Sequence, residues 1–404
     1  MALSPEFTLT EQEQQHLHQL YKELHAHPEL SMQEHRTAER IEQRLSALGI
    51  EHFRCGGTGV VGVVRNGEGP VVALRADTDA LPVAEHTGVD YASTAQGTLP
   101  DGTSTEVMHA CGHDTHMACL LTAAGVLLRQ REDWSGTLVL IFQPAEETGQ
   151  GARAMVADGL WEKVPHPEVI LGQHVSPGDA GTVTMALGPA MAAADNLRVT
   201  VYGKQVHGSQ PQNGIDPVVL GASMVTRLQS IVSREVDPRD PAVVTVAVFR
   251  AGLKENIIPE TAEFTVNIRT LTESVRQQVL AAVERIIRAE AQSAGAPDPV
   301  IEHYGHMPAL INDAETAQGV FDALRGSLGA DRVAVERPRM GSEDFGVLGE
   351  QAGVPSVFWF FGASEHGAED PPGNHSPYFA PLIEPTLSTG VEAMVTAALH
   401  RLSR

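Results

Sequence analysis

Apolar residues recur three and four positions apart over residues 11–25 and 33–48, a period that predicts two amphipathic helices at the start of the chain. The pattern then shortens. Residues 60–64 and 71–74 are apolar runs of strand length. A long apolar-rich helix is expected at 115–131, followed by a strand at 137–142, a helix at 151–158 and a strand at 169–171. Strands alternating with helices in this way specify an α/β fold, a mostly parallel sheet with helices on both faces.

The pattern changes near residue 193. Strand, helix, strand, strand, helix and strand are expected in turn at 197–201, 217–233, 242–249, 262–269, 274–294 and 300–304. The order βαββαβ is ferredoxin-like. After it the first style returns, with a helix at 314–328, a strand at 356–361 and a terminal helix at 385–402. The expected organisation is a discontinuous catalytic domain, 1–192 with 305–404, carrying an inserted domain at 193–304.

A chain of 404 residues supports two cores. The formal net charge of −23 disfavours nucleic acid and anionic membrane surfaces as partners. No apolar run reaches the roughly 18 residues of a membrane helix. The polar N-terminus lacks the basic start and apolar stretch of a signal peptide. Three cysteines give no disulfide framework, so a cytoplasmic location is expected, with Cys55 and Cys119 structural.

Chemistry concentrates in two clusters. Met108-His109-Ala110-Cys111-Gly112-His113-Asp114-Thr115-His116 brings a thiol, three imidazoles and a carboxylate into nine residues, and Gln143-Pro144-Ala145-Glu146-Glu147 adds paired carboxylates. Asp77, Asp79, Glu146, Glu147, His174 and His375 all follow expected strands, where open α/β sheets build their sites. Thiolate, imidazole and carboxylate donors suit zinc first, with manganese or cobalt as alternatives. In a hydrolytic site one carboxylate of the Glu146-Glu147 pair would bind metal and the other move protons; the residues alone leave the assignment open. His109 and His116 read equally as support or as structure, and His25 and His27 as residues fixing the turn before Pro28.

These residues resemble the metallopeptidase and aminoacylase family that includes carboxypeptidase G, succinyl-diaminopimelate desuccinylase, bacterial hippurate hydrolases and plant auxin-conjugate hydrolases, and are most similar to its amidohydrolase branch. The motifs are His27-Pro28-Glu29-Leu30, Leu74-Arg75-Ala76-Asp77-Thr78-Asp79-Ala80-Leu81-Pro82, the two clusters above, Gln173-His174-Val175, Asn256-Ile257-Ile258-Pro259, Gly341-Ser342-Glu343-Asp344-Phe345 and Asn374-His375-Ser376-Pro377. The resemblance implies two divalent metal ions on Cys111, His113, Glu147, His174 and His375, with Cys111 bridging. It makes Glu146 the general base and then acid, and Asp79 a support for the ligands. His207 would stabilise the oxyanion in the partner subunit's site of a homodimer, Asn256 and Arg269 would hold the substrate near its carboxylate, and the inserted domain would be a lid and dimerisation unit. The branch usually has Met where Thr78 stands, and a Pro-His pair where this chain has Pro211-Gln212.

The expected function is metal-dependent hydrolysis of a small-molecule N-acyl amino acid to a carboxylic acid and a free amino acid, through metal-activated water. An aminopeptidase or dipeptidase of the same fold is the first alternative. A Cys111–His113 nucleophile pair would leave Glu147 and His375 without a task, and a non-catalytic binding protein would not need the full donor set.

Overall fold

The computed structural model describes residues 7–402. Residues 1–6 and 403–404, counted above with the catalytic domain, lie outside that range. The chain divides into two compact units: one runs up to Gly188 and includes Ile311–Arg337 and everything from Asp344 on; the other comprises Pro189–Leu310 and Pro338–Glu343.

The first unit is built on an eight-stranded sheet. In spatial order its strands are Glu51–Cys55, Gly59–Asn66, Gly136–Gln143, Val71–Asp77, Val169–Asp179, Ser356–Ser364, Val183–Met185 and Val333–Val335. The central pairings, from Gly136–Gln143 through to Ser356–Ser364, are parallel; antiparallel pairings flank them on both sides, and the outermost pair, Val183–Met185 with Val333–Val335, is parallel again. This is the mixed, mostly parallel sheet expected from the alternating pattern.

Strand Gly136–Gln143 is buried at every position, which is why its sequence shows an apolar run instead of an alternation. Leu138, Leu140 and Phe142 share one core with Leu74, Leu171, Trp359 and the helices His113–Arg129 and Thr386–Leu402. The intervening Val139 and Ile141 are equally buried, so both faces of the sheet are covered. Against Val169–Asp179, helix Phe345–Ala352 comes so close that a Cβ on Gly172 would lie 2.7 Å from the Phe345 ring. Among the described residues, no helix is long and apolar enough to cross a membrane.

The second unit contains a four-stranded antiparallel sheet in the order Ala242–Ala251, Thr261–Thr270, Ala193–Tyr202, Val300–Met307. Strand Thr261–Thr270 alternates buried and half-exposed positions, and its buried side chains Phe264, Val266 and Ile268 pack with Met224, Leu228, Val279 and Ile287 of helices Pro217–Arg234 and Glu273–Ser293. Segment 338–343 joins this unit through Arg339 N to Ala190 O, 2.8 Å, and Ala192 N to Gly341 O, 2.9 Å.

Candidate metal centre

The site of the first unit grows from the carboxyl ends of its parallel strands. Asp77 ends Val71–Asp77, and Asp79 lies two residues on. The Glu146-Glu147 turn follows Gly136–Gln143. His174 sits inside its strand and not after it, because Val169–Asp179 continues beyond the apolar run that marked it in the sequence. His375 lies in the loop following Ser356–Ser364.

Cys111 and His113 flank Gly112, which starts helix His113–Arg129 with φ +82°. A Cβ at Gly112 would meet Val175 Cγ1 at 2.4 Å, so both the backbone conformation and the close approach require glycine. Asn374 Nδ2 donates to Cys111 O at 3.0 Å and to Val175 O at 3.2 Å, and His375 N donates to Ala110 O at 2.8 Å. These bonds hold three distant segments together.

Cys111 Sγ is 3.4 Å from His174 Nε2. The sulfur, a ring nitrogen of His113 and a carboxylate oxygen of Glu147 lie within 4.8 Å of one another. His375 Nε2 is 3.4 Å from Glu147 Oε2. His113 Nε2 and Glu147 Oε1 are buried, lack a hydrogen-bond partner, and are 3.8 Å apart. Two orphaned polar atoms facing each other beyond hydrogen-bond range are costly unless a shared cation satisfies both. The donor set therefore fits a divalent metal.

The imidazoles are oriented from behind. His113 Nδ1 is 2.9 Å from Asp79 O, which directs Nε2 inward. His174 Nδ1 donates to Val175 O at 2.6 Å, leaving its Nε2 lone pair toward Cys111. Asp79 accepts from Glu146 N and Glu147 N, each at 3.1 Å, and from Ser31 Oγ at 2.6 Å.

A second His/Asp group, Asp77, His113, His116 and His174, is also compact. Two of its members are already engaged. Asp77 pairs with His116 Nδ1 and accepts from Arg75 Nη1 at 2.7 Å, while His116 Nε2 accepts from Val175 N at 2.8 Å. His116 is thus a brace between two site strands. His109 is buried, and burial pushes it down to about 4, so it is neutral.

Burial, reinforced by the charges of Glu147, Glu146 and Asp77, raises the Cys111 thiol well above its ordinary range. A thiolate there, whether nucleophile or metal ligand, needs a nearby positive charge to bring it down. The imidazole near Cys111 Sγ is His174, not His113, so the Cys111–His113 nucleophile reading has no support in the geometry.

The residues assigned to substrate lie in the second unit. His207 pairs with Ile257 in a two-stranded ribbon, and Gly208 N donates to Asn256 O at 2.8 Å. His207 Nδ1 accepts from Ser209 N at 3.1 Å, which leaves Nε2 as the protonated nitrogen. Arg269 stands on another strand, where Nε donates to Asn267 Oδ1 at 2.9 Å and Nη1 to Ser342 Oγ at 2.7 Å. It is half-buried, burial lowers its pKa, and no carboxylate pairs with it among the described residues.

Sequence reasoning missed two buried networks. Arg75, fully buried, bonds Asp77, Gln143 Oε1 at 3.0 Å and Asp344 Oδ1 at 3.3 Å. A charge inside an apolar strand was the available signal. The other centres on His25, which does not fix a turn: it ends helix Glu11–His25 and lies fully buried between Asp114 Oδ2, 2.6 Å, and Glu85 Oε1, 3.0 Å. His27, by contrast, is exposed and bonds Glu23 O at 2.8 Å.

Comparison with known proteins agrees with this architecture. The sequence profile of peptidase family M20/M25/M40 matches residues 73–400. The chain is 35% identical to thermostable carboxypeptidase 2 of Saccharolobus solfataricus over 94% of both chains. It is 39% identical to N-acyl-L-amino acid amidohydrolase of Geobacillus stearothermophilus over 72% of this chain and 77% of the relative. A crystal structure of a dinuclear metal-binding peptidase of the M20 family from Bacillus subtilis superposes with a TM-score of 0.80 at 29% identity, covering 96% of this chain and 98% of that one. A profile spanning most of the chain, relatives matched nearly end to end and a shared fold lead to one conclusion: this chain belongs to peptidase family M20/M25/M40.

Proposed function

We propose that this protein is a metal-dependent amidohydrolase that cleaves N-acyl amino acids to a carboxylic acid and a free amino acid. The observation that carries the reading is the facing pair of orphaned buried atoms, His113 Nε2 and Glu147 Oε1, beside Cys111 Sγ. Cys111, His113, Glu147, His174 and His375 would hold two divalent ions, zinc before manganese or cobalt. Bound there, the ions supply Lewis acidity toward the amide carbonyl and lower the pKa of water.

The chain's own groups do the rest. Glu146, buried with Oε2 3.9 Å from His113 Nε2, takes a proton from the attacking water and delivers it to the leaving nitrogen. Breaking the C–N bond then releases the amino acid. His207, with Nε2 protonated, donates to the oxyanion. Arg269, a guanidinium without a carboxylate of its own, meets the substrate carboxylate, with Asn256 beside it.

The unit Pro189–Leu310 would act as a ferredoxin-like lid and pair two subunits into a homodimer, so that His207 serves the neighbouring site. Three unpaired cysteines fit a cytoplasmic enzyme.

The test is a substrate panel. Metal-reconstituted protein should hydrolyse N-acetyl, N-benzoyl or longer N-acyl amino acids, lose activity to a chelator and regain it with added metal. The aminopeptidase or dipeptidase alternative requires a free α-amine. Cleavage of unblocked dipeptides with none of the N-acyl compounds would replace this reading with that one.

A further inference from the structure

Beneath the Glu146-Glu147 turn, three consecutive backbone N–H groups are each taken by a carboxylate oxygen. Glu146 N and Glu147 N donate to the two oxygens of Asp79, and Ala145 N donates to Glu34 Oε1 at 2.9 Å. Ala145 has φ +48°, a left-handed conformation unusual for a residue with a Cβ, and it is fully buried. Such a conformation persists only where the surroundings over-determine it, and such residues cluster at functional sites.

Glu34 is placed for this task. It occupies the position immediately before helix His35–Ala47, and its side chain makes no capping bond there. Glu29 caps the helix instead, accepting from Arg36 N at 3.2 Å and Thr37 N at 2.8 Å. Glu34 is thereby free to turn inward. It is fully buried, and its second oxygen accepts from Thr58 Oγ1 at 2.5 Å.

We propose that Glu34 is a positioning residue for Glu146: by holding Ala145 N it fixes the left-handed residue that immediately precedes the proton-transferring carboxylate and sets its direction. The proposal rests on the reading of Glu146 as general base. The hold does not depend on charge. Burial, with Asp79 nearby, raises the Glu34 carboxyl to about 7. A neutral Glu34 can still accept from Ala145 at one oxygen while its hydroxyl turns to Thr58.

The experiment measures kcat, KM, pH profile and metal content on the N-acyl substrate hydrolysed fastest in the panel. Glu34→Ala should lower kcat by roughly 10–100-fold while KM and metal content stay near wild type, the scale of a displaced catalytic group. Glu34→Gln, which keeps an acceptor for Ala145 N, should restore kcat to within about 3-fold, with an unchanged pH profile. In a Glu146→Gln background, Glu34→Ala should cost little more, since the group it positions is gone. An equal loss in both backgrounds, or a Glu34→Gln variant as slow as Glu34→Ala, overturns the proposal. A fully active Glu146→Gln single variant identifies the base assignment as the failure instead, and removes the proposal with it. Should Glu34→Ala not fold, Thr58→Val, which frees only the second oxygen, should lower kcat by roughly 3–10-fold with the same dependence on Glu146, and a loss that persists in Glu146→Gln overturns the proposal equally.

Discussion

Raising the pH should weaken the fold at one identifiable point, the buried pair of contacts around His25. Burial alone lowers a histidine, but hydrogen bonds to Asp114 and Glu85, with their charges, outweigh it and lift His25 from 6.5 to about 9. A raised folded-state value means that the native state binds the proton more tightly than the unfolded chain. The resulting stability is fully present below pH 6.5 and is lost as pH climbs through about 9. At about 1.4 kcal/mol per unit, the shift corresponds to about 3 kcal/mol, a large part of the roughly 5–15 kcal/mol that holds a domain folded. Solvent screening takes little from it, because the side chains of His25, Asp114 and Glu85 are 0–1% exposed. Asp114 and Glu85 shift downward, so their contribution disappears only in acid and does not enter this window. The assay is urea denaturation at intervals from pH 6.5 to 9.5, comparing wild type with His25→Gln. The stability advantage of the wild type should shrink across the range, by about 1.4 kcal/mol per pH unit at its steepest. An advantage that stays constant between pH 7 and 9 would refute a charged His25 in the native state.

Three other outcomes are expected. Glu146→Gln should keep its metal and lose roughly 10²–10⁴-fold in rate, whereas Glu147→Gln should lose metal first; elemental analysis beside kcat distinguishes them, and the opposite pattern reverses the assignment. Gly112→Ala, which forces φ +82° on alanine and drives its Cβ into Val175, should cost about 2–4 kcal/mol and reduce metal occupancy, read by thermal melting and metal content. Inactive His207→Ala and Glu146→Gln chains, once shown to fold and exchange subunits, should together regain activity at no more than one site per dimer; verified heterodimers without activity would exclude a His207 that acts across subunits.

The chain announces its sheet more openly than its supports. Strand Gly136–Gln143 and helix His113–Arg129 are long enough for periodicity and burial to mark them. Val183–Met185 and Val333–Val335 have three residues each, too few for any pattern, and they exist because neighbouring strands supply their partners. The donor residues Cys111, His113, Glu146 and Glu147 stand out because reactive side chains crowd within short motifs. Their supports do not crowd. Glu34 lies 111 residues from the amide it holds, His25 lies 89 from Asp114, and Arg75 lies 269 from Asp344. A buried carboxylate with a distant partner looks, in one dimension, like any surface glutamate. His174 shows the converse. Its strand continues after the apolar run stops, because Gln173 and His174 turn polar groups to internal partners: Gln173 bonds Gly390 O and the Trp359 indole.

The placement of strand Ser356–Ser364 has a consequence for how the molecule is made. It lies between Val169–Asp179 and Val183–Met185, two strands separated by only three residues in the chain. On a ribosome, both neighbours emerge long before the strand that must part them. Until then each presents unsatisfied backbone groups along one side, the kind of open edge that recruits other chains. Contacts between segments so distant in sequence also form slowly. His375, farther still toward the C-terminus, arrives last among the proposed metal donors. Nascent chains released early would therefore carry Cys111, His113, Glu147 and His174 in a sheet that cannot close, and overproduction should favour aggregation wherever synthesis outpaces the completion of that one strand.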